Sequence, residues 1–152
     1  MNPTENDLQA SVLSSASDVL ESMYFTSVMG PAAAPLSGAG WIARMDFKGE
    51  LSGTFTLRMS LETARLLAAN FFGEEEPEVT EPESETAIGD MVGEMANMIC
   101  GSVLSRMETK THFKLSHPVA EVSSDLMQGM DRGVHQLLET DGGVLALCLL
   151  TQ

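Results

Sequence analysis

Residues 41–59 read WIARMDFKGELSGTFTLRM, and the alternation in this stretch decides the fold class. Trp41, Ala43, Met45 and Phe47 alternate with Ile42, Arg44, Asp46 and Lys48. Leu51, Gly53, Phe55, Leu57 and Met59 then alternate with Ser52, Thr54, Thr56 and Arg58. Successive side chains of a strand point to opposite faces, so period-two alternation predicts two strands, each with one dry and one wet face. Between them Gly49-Glu50 suits a tight type II′ turn, with glycine at the first central position. The stretch therefore reads as an antiparallel hairpin.

Working outward toward the N-terminus, the segment 30–38, GPAAAPLSG, has two prolines and small residues and reads as a loop. Before it, Leu8, Val12, Ala16, Val19 and Met23 recur at three- and four-residue steps, with Leu20 widening the stripe. That spacing predicts an amphipathic helix over about 6–24. Toward the C-terminus, Ser60 is placed as the N-cap of a helix ending at Gly73, with Leu61, Ala64, Leu67, Ala68 and Phe71 as its apolar stripe and Glu62 at its positive end. A long helix follows over about 82–107. Residues 112–116 suggest a short strand stopped by Pro118, and 123–133 an irregular loop. The chain closes with Val134–Glu139 and Val144–Leu150 joined through Asp141-Gly142-Gly143, a second hairpin. The order α-β-β-α-α-β-β predicts an α+β domain: a mostly antiparallel sheet with two long helices and an N-terminal helix packed on one face. Its length, 152 residues, is that of one domain.

The formal net charge is −14. It excludes nucleic acid and anionic lipid as expected partners, because both require a cationic surface. Much of the charge is local. Residues 74–85, EEEPEVTEPESE, hold seven glutamates and two prolines and read as a solvated acidic loop, with steering of a basic partner as the functional alternative. No apolar run is long enough to span a membrane. The opening MNPTENDLQ lacks the basic start and apolar block of a signal peptide. The protein is therefore expected in the cytoplasm. Cys100 and Cys148 lie in apolar surroundings with no CxxC and read as buried small hydrophobes.

The long helix carries the chemistry. From Thr86 it reads TAIGDMVGEMANMICGSVLSRM. At about 100° per residue, Ile88, Val92, Met95 and Ile99 share one face, with Met91 and Met98 on its shoulder. On the opposite side Asp90, Glu94, Asn97 and Gly101 fall within about 60° of one another. A carboxylate and an amide one turn apart can pair with a cationic side chain and hold a water. Gly101 lets a partner approach the stripe closely. A solvated helix face with ordinary polar residues has the same spacing, so spacing alone leaves both readings open.

This helix resembles the signature helix of the CheC/CheX/FliY family of chemotaxis phosphatases. That family carries Asp or Ser, then Glu four positions on, then Asn three further, then proline a little over twenty residues later; here stand Asp90, Glu94, Asn97 and Pro118. The text IGDMVGEMANMICGSVLS, the opening helix ending in LESMYF and the flanking hairpins sit in the family's order, so the likeness covers nearly the whole chain. Only one Glu-x-x-Asn helix is present, since Glu62 is followed by Arg65 rather than asparagine, and a single motif is most like the CheX branch. The resemblance implies one CheX-like phosphatase domain over 1–152 that removes the phosphoryl group from an aspartyl phosphate on a CheY-type receiver domain. It implies that Asn97 orients the attacking water, that Glu94 pairs with the receiver's lysine, and that Asp90 and Gly101 flank the contact. It implies no cofactor of the chain's own, Mg²⁺ being supplied by the partner receiver, and a homodimer, for which free sheet edges also give a physical reason.

Two other classes compete. The same fold could dock a receiver or a flagellar switch component without hydrolysis. A metal enzyme would draw on His112, His117 and His135, whose spacing matches no metal motif, so no metal site is expected. Trp41, opening a strand on its apolar side, is expected in the core.

Overall fold

In a computed structural model the chain is described over residues 5–32, 36–72, 82–106, 113–129 and 133–151. Most of the acidic stretch 74–85, together with Gly73, Met107 and His112, lies outside the described residues. The elements are α1 (Glu5–Met23), β1 (Val28–Pro31), β2 (Gly40–Lys48), β3 (Gly53–Ser60), α2 (Leu61–Phe72), α3 (Pro82–Ser105), β4 (Lys114–Leu115), β5 (Val119–Ser123), β6 (Val134–Thr140) and β7 (Gly143–Thr151). The sheet order is β1-β6-β7-β3-β2, with β4 and β5 in turn along the outer edge of β2. Every pairing is antiparallel.

Both expected hairpins form, by different turns. In β2–β3 the register runs from Gly40↔Ser60 to Phe47↔Gly53. The connection is therefore longer than the two residues of a type II′ turn, and Gly49 has no positive φ. Gly49 is small for another reason: a Cβ there would stand 2.7 Å from the Phe113 ring. Leu51 meanwhile folds inward against the core. In β6–β7, Thr140 pairs with Gly143 across Asp141-Gly142. The Thr140 hydroxyl donates to the Gly143 carbonyl at 2.7 Å and accepts from the Gly142 N–H at 3.1 Å. Ser60 caps α2 as expected, its hydroxyl accepting from the Thr63 N–H at 3.1 Å.

The helices pack on one sheet face. Trp41, Ala43, Met45 and Phe47 join Phe55, Leu57 and Met59 and then Leu145, Leu147 and Leu149 in one buried layer, against Val12, Leu20, Leu67, Val92, Met95 and Ile99. Burying such a side chain contributes about 1.5–3 kcal/mol, so this layer dominates the fold.

Three expectations need correction. The segment 30–38 is not all loop: Val28–Pro31 adds an edge strand on β6 through a bulge between Val28 and Gly30. Proline is tolerated there because an edge strand need not use its N–H. Pro118 does not stop the sheet, since β5 resumes at once on β2, with Arg44↔Val119 following Phe47↔Leu115. Finally, the second sheet face is not wet at its centre. Thr56 and Arg58 are buried, and Leu36, Leu126 and Ala146 form a small second core. Arg58 Nη1 donates to the carbonyls of Leu126, at 2.8 Å, and Gln128.

Candidate functional site

α3 is built to lie close on the sheet edge. Its apolar face, Ile88, Val92, Met95 and Ile99, is buried, as the 3.6-residue period requires. Glycines let its flank descend. A Cβ at Gly89 would meet the Trp41 indole at 3.0 Å, and one at Gly93 would meet Pro118 at 3.6 Å. Trp41 is in the core as expected, 7% exposed.

The opposite face stands clear. Asp90 and Glu94 are exposed, and Asn97 and Gly101 are half-buried. A Cβ at Gly101 would touch only Leu115, at 4.0 Å, so this point of the helix is open to close approach. Between α3 and the β4–β5 edge runs an open groove of about 730 Å³, lined among others by Trp41, Asp90, Glu94, His117, Pro118 and Ala120. The groove thus gathers Asp90 and Glu94. Asn97 and Gly101 are not in its lining and lie further along the same helix face.

The residues weighed for metal binding are dispersed. His117 is an exposed residue of the groove wall, His135 is half-buried on β6, and His112 lies outside the described residues. Among the described residues no three His, Cys, Asp or Glu side chains gather as a metal site. Cys100 and Cys148 are buried and form no disulfide among the described residues, and burial pushes the Cys100 thiol up to about 12. Among the described residues no helix is long and apolar enough to cross a membrane.

A family model described as chemotaxis phosphatase CheX matches residues 41–131, the span that contains the β2–β3 hairpin, α3 and the groove. The chain belongs to the CheX family. Solved structures show the same fold. The CheX of Borrelia burgdorferi, crystallised as a complex with CheY, BeF3 and Mg²⁺, is 18% identical with a TM-score of 0.75, over 94% of this chain and 96% of that one. The CheX of Vibrio vulnificus is 18% identical with a TM-score of 0.77, over 99% and 100%. FliY of Thermotoga maritima is 16% identical with a TM-score of 0.64, over 99% and 91%. No curated protein matches the chain in sequence.

Within this CheX-family site, sequence reasoning overlooked the groove positions of two residues, His117 and Trp41, and the burial of a third outside the groove lining, Tyr24. His117 was weighed only as a metal ligand and instead forms the groove wall facing α3. Trp41 is both core and groove floor. Tyr24 is fully buried, and its phenol is pushed far above its ordinary range, first by burial and then by the nearby Glu94 carboxylate. Periodicity places Trp41 on the apolar face but carries no signal for the groove, because that comes from packing between elements distant in sequence.

Proposed function

We propose that this chain hydrolyses the aspartyl phosphate of a CheY-type receiver domain in the cytoplasm, with Asn97 orienting the attacking water and Glu94 pairing with the receiver's lysine. The observation that carries the reading is that Glu94, which lines the open groove, and Asn97, one turn further along and half-buried, share one face of α3. Asp90 and Gly101 extend that face by one turn each way, Asp90 as a rim carboxylate and Gly101 as a point of close approach. The reading is supported by the family and by the relative from Borrelia burgdorferi, which binds CheY.

The division of labour follows from the chemistry. Phosphoryl transfer asks a protein mainly for geometry and charge neutralisation. Glu94 is an acceptor for an ammonium donor. The Asn97 amide both donates and accepts, so it can fix a water's orientation without holding a charge. Mg²⁺ would be supplied by the receiver and would neutralise the phosphoryl oxygens there; the Borrelia complex contains Mg²⁺ together with CheY and BeF3. We place the active form as a homodimer joined at a sheet edge. Val119 and Val122 are 56% and 46% exposed on β5, the outer strand beyond β2, and apolar residues on an open edge favour pairing with a second copy.

The test is loss of phosphoryl group from a phosphorylated CheY-type receiver in Mg²⁺, with wild type and Asn97→Ala side by side. Acceleration by wild type alone supports the reading. Full activity in Asn97→Ala sinks the assignment. No acceleration by folded wild type with any receiver moves the chain to a non-catalytic docking module.

A further inference from the structure

The groove beside α3 combines an apolar lining with acidic charge. Trp41, Pro118 and Ala120 supply the apolar part, and Glu85, Asp90 and Glu94 of α3 supply the charge. All three carboxylates are exposed. Among the described residues no lysine or arginine lines the groove, and its one basic group is His117. A cleft with one sign of charge over low-dielectric walls attracts the opposite charge. Two further features point to an occupant. Trp41 is 7% exposed and lines the groove, yet its indole N–H makes no hydrogen bond among the described residues. A buried indole N–H ordinarily has an acceptor. Gly93 also lines the groove, and nothing packed around it demands glycine: a Cβ there would stand at an ordinary 3.6 Å from Pro118. Alanine is the better helix former, but it would place a methyl group in the groove. The glycine keeps that space open.

We infer that the groove receives a loop of the receiver bearing a lysine or arginine, distinct from the lysine met by Glu94. Its aliphatic stem lies on Trp41 and Pro118, its cationic head pairs with Asp90 and Glu85, and a backbone carbonyl of the loop accepts from the Trp41 indole N–H. The inference rests on the reading of α3 as the face on which a receiver docks. Long cationic side chains bury the stem on apolar surface and keep the head in water. The two carboxylates accept charge-assisted hydrogen bonds, and a peptide carbonyl supplies the acceptor that the indole lacks. At about 730 Å³ the groove is roomier than one side chain needs. Glu94 belongs to its lining, so one partner can engage the groove and Glu94 together. The contact acts on docking and not on the water that Asn97 aims.

Trp41 is the only tryptophan of the chain, so protein labelled with ¹⁵N at the indole nitrogen gives one resonance. The probe is an unlabelled CheY-type receiver carrying BeF3 and Mg²⁺ in place of the labile phosphoryl group. The resonance is expected to shift as the receiver is added and to saturate with the Kd that calorimetry gives. Glu85→Gln together with Asp90→Asn is expected to raise that Kd about two- to ten-fold, the range of one or two exposed ion pairs. Glu62→Gln, which removes an exposed carboxylate of α2 outside the groove lining, should leave it at the wild-type value. An indole resonance that stays in place at saturation, or a wild-type Kd in the double variant, overturns the inference and leaves the docking role of Glu94 standing. If calorimetry detects no binding of any receiver, the inference falls together with the docking reading. A resonance that moves when the chain alone is diluted assigns the groove to a second copy and overturns the inference as well.

Discussion

Gly89 rests on the indole of Trp41: a Cβ at position 89 would stand 3.0 Å from Cζ3 and Cη2. Four residues on, Gly93 faces Pro118 at an ordinary 3.6 Å. The two glycines therefore predict opposite signs for one substitution. Alanine gains about 1 kcal/mol over glycine in a helix interior. Gly93→Ala should keep most of that gain and melt higher than wild type. Gly89→Ala must displace a buried ring, and overpacking costs typically about 1–3 kcal/mol, so it should melt lower, with Gly89→Leu lower still. Thermal melts of the three variants decide the matter; a stabilised Gly89→Ala would mean that α3 does not bear on Trp41.

Glu94 and Asn97 should fail in different ways. Asn97→Ala removes the group that aims the water, and misplacement at a phosphoryl centre costs on the order of a hundred-fold. Its kcat should fall by at least that factor while binding of the receiver is retained. Glu94→Ala should instead raise KM by about ten-fold, as loss of a charge-assisted bond requires, and Glu94→Lys by more through like-charge repulsion. Because Glu94 is exposed, the wild-type KM should also rise with salt. Equal losses of kcat in all three variants would contradict the split.

Much of this was legible in the sequence because it depends on period alone. Alternation places Trp41, Ala43, Met45 and Phe47 on one face of β2, and the helical period separates Val92 and Met95 from Glu94. What was not legible depends on partners remote in sequence. Arg58 belongs to the polar row of β3, yet it is buried and donates to the carbonyls of Leu126 and Gln128, far along the chain. Residues around Gly30 and Pro31 look like loop because strand propensity says little about an edge strand paired through a bulge. Pro118 looks like a terminus, yet it only separates β4 from β5, and its ring is what Gly93 packs beside. The Glu94–Asn97 face was readable from spacing; the groove beside it was not, because its other wall comes from residues 117–120.

Arg58 should prove structural and silent in catalysis. It lies on the sheet face away from α3 and ties down residues 126–128 through two carbonyls. Arg58→Leu leaves a buried carbonyl without its donor, which costs about 1–3 kcal/mol. Denaturant melts should show that loss, and hydrogen exchange should rise over 124–129, while kcat and KM on a phosphorylated receiver stay at wild type. A catalytic defect in a variant of normal stability would tie the far face to the site.

The buried thiol of Cys100 makes a prediction about alkaline stability. Burial holds it at about 12 in the folded chain, against about 8.5 for an unfolded thiol. Below the unfolded value both states keep the proton, and the contribution to stability is complete. Between the two values the unfolded chain has lost its proton and the folded chain has not, so the unfolded state binds fewer protons and stability falls as pH rises. The loss can reach about 5 kcal/mol across that window, at roughly 1.4 kcal/mol for each pH unit. Cys100→Ala removes the titrating group at the cost of a small cavity. Its melting temperature should start somewhat below wild type at pH 7 and then decline less steeply from pH 9 upward, so that the two curves converge. Parallel curves over that range would mean that the thiol ionises in the folded protein as readily as in the unfolded chain, and that α3 does not seal Cys100 from water.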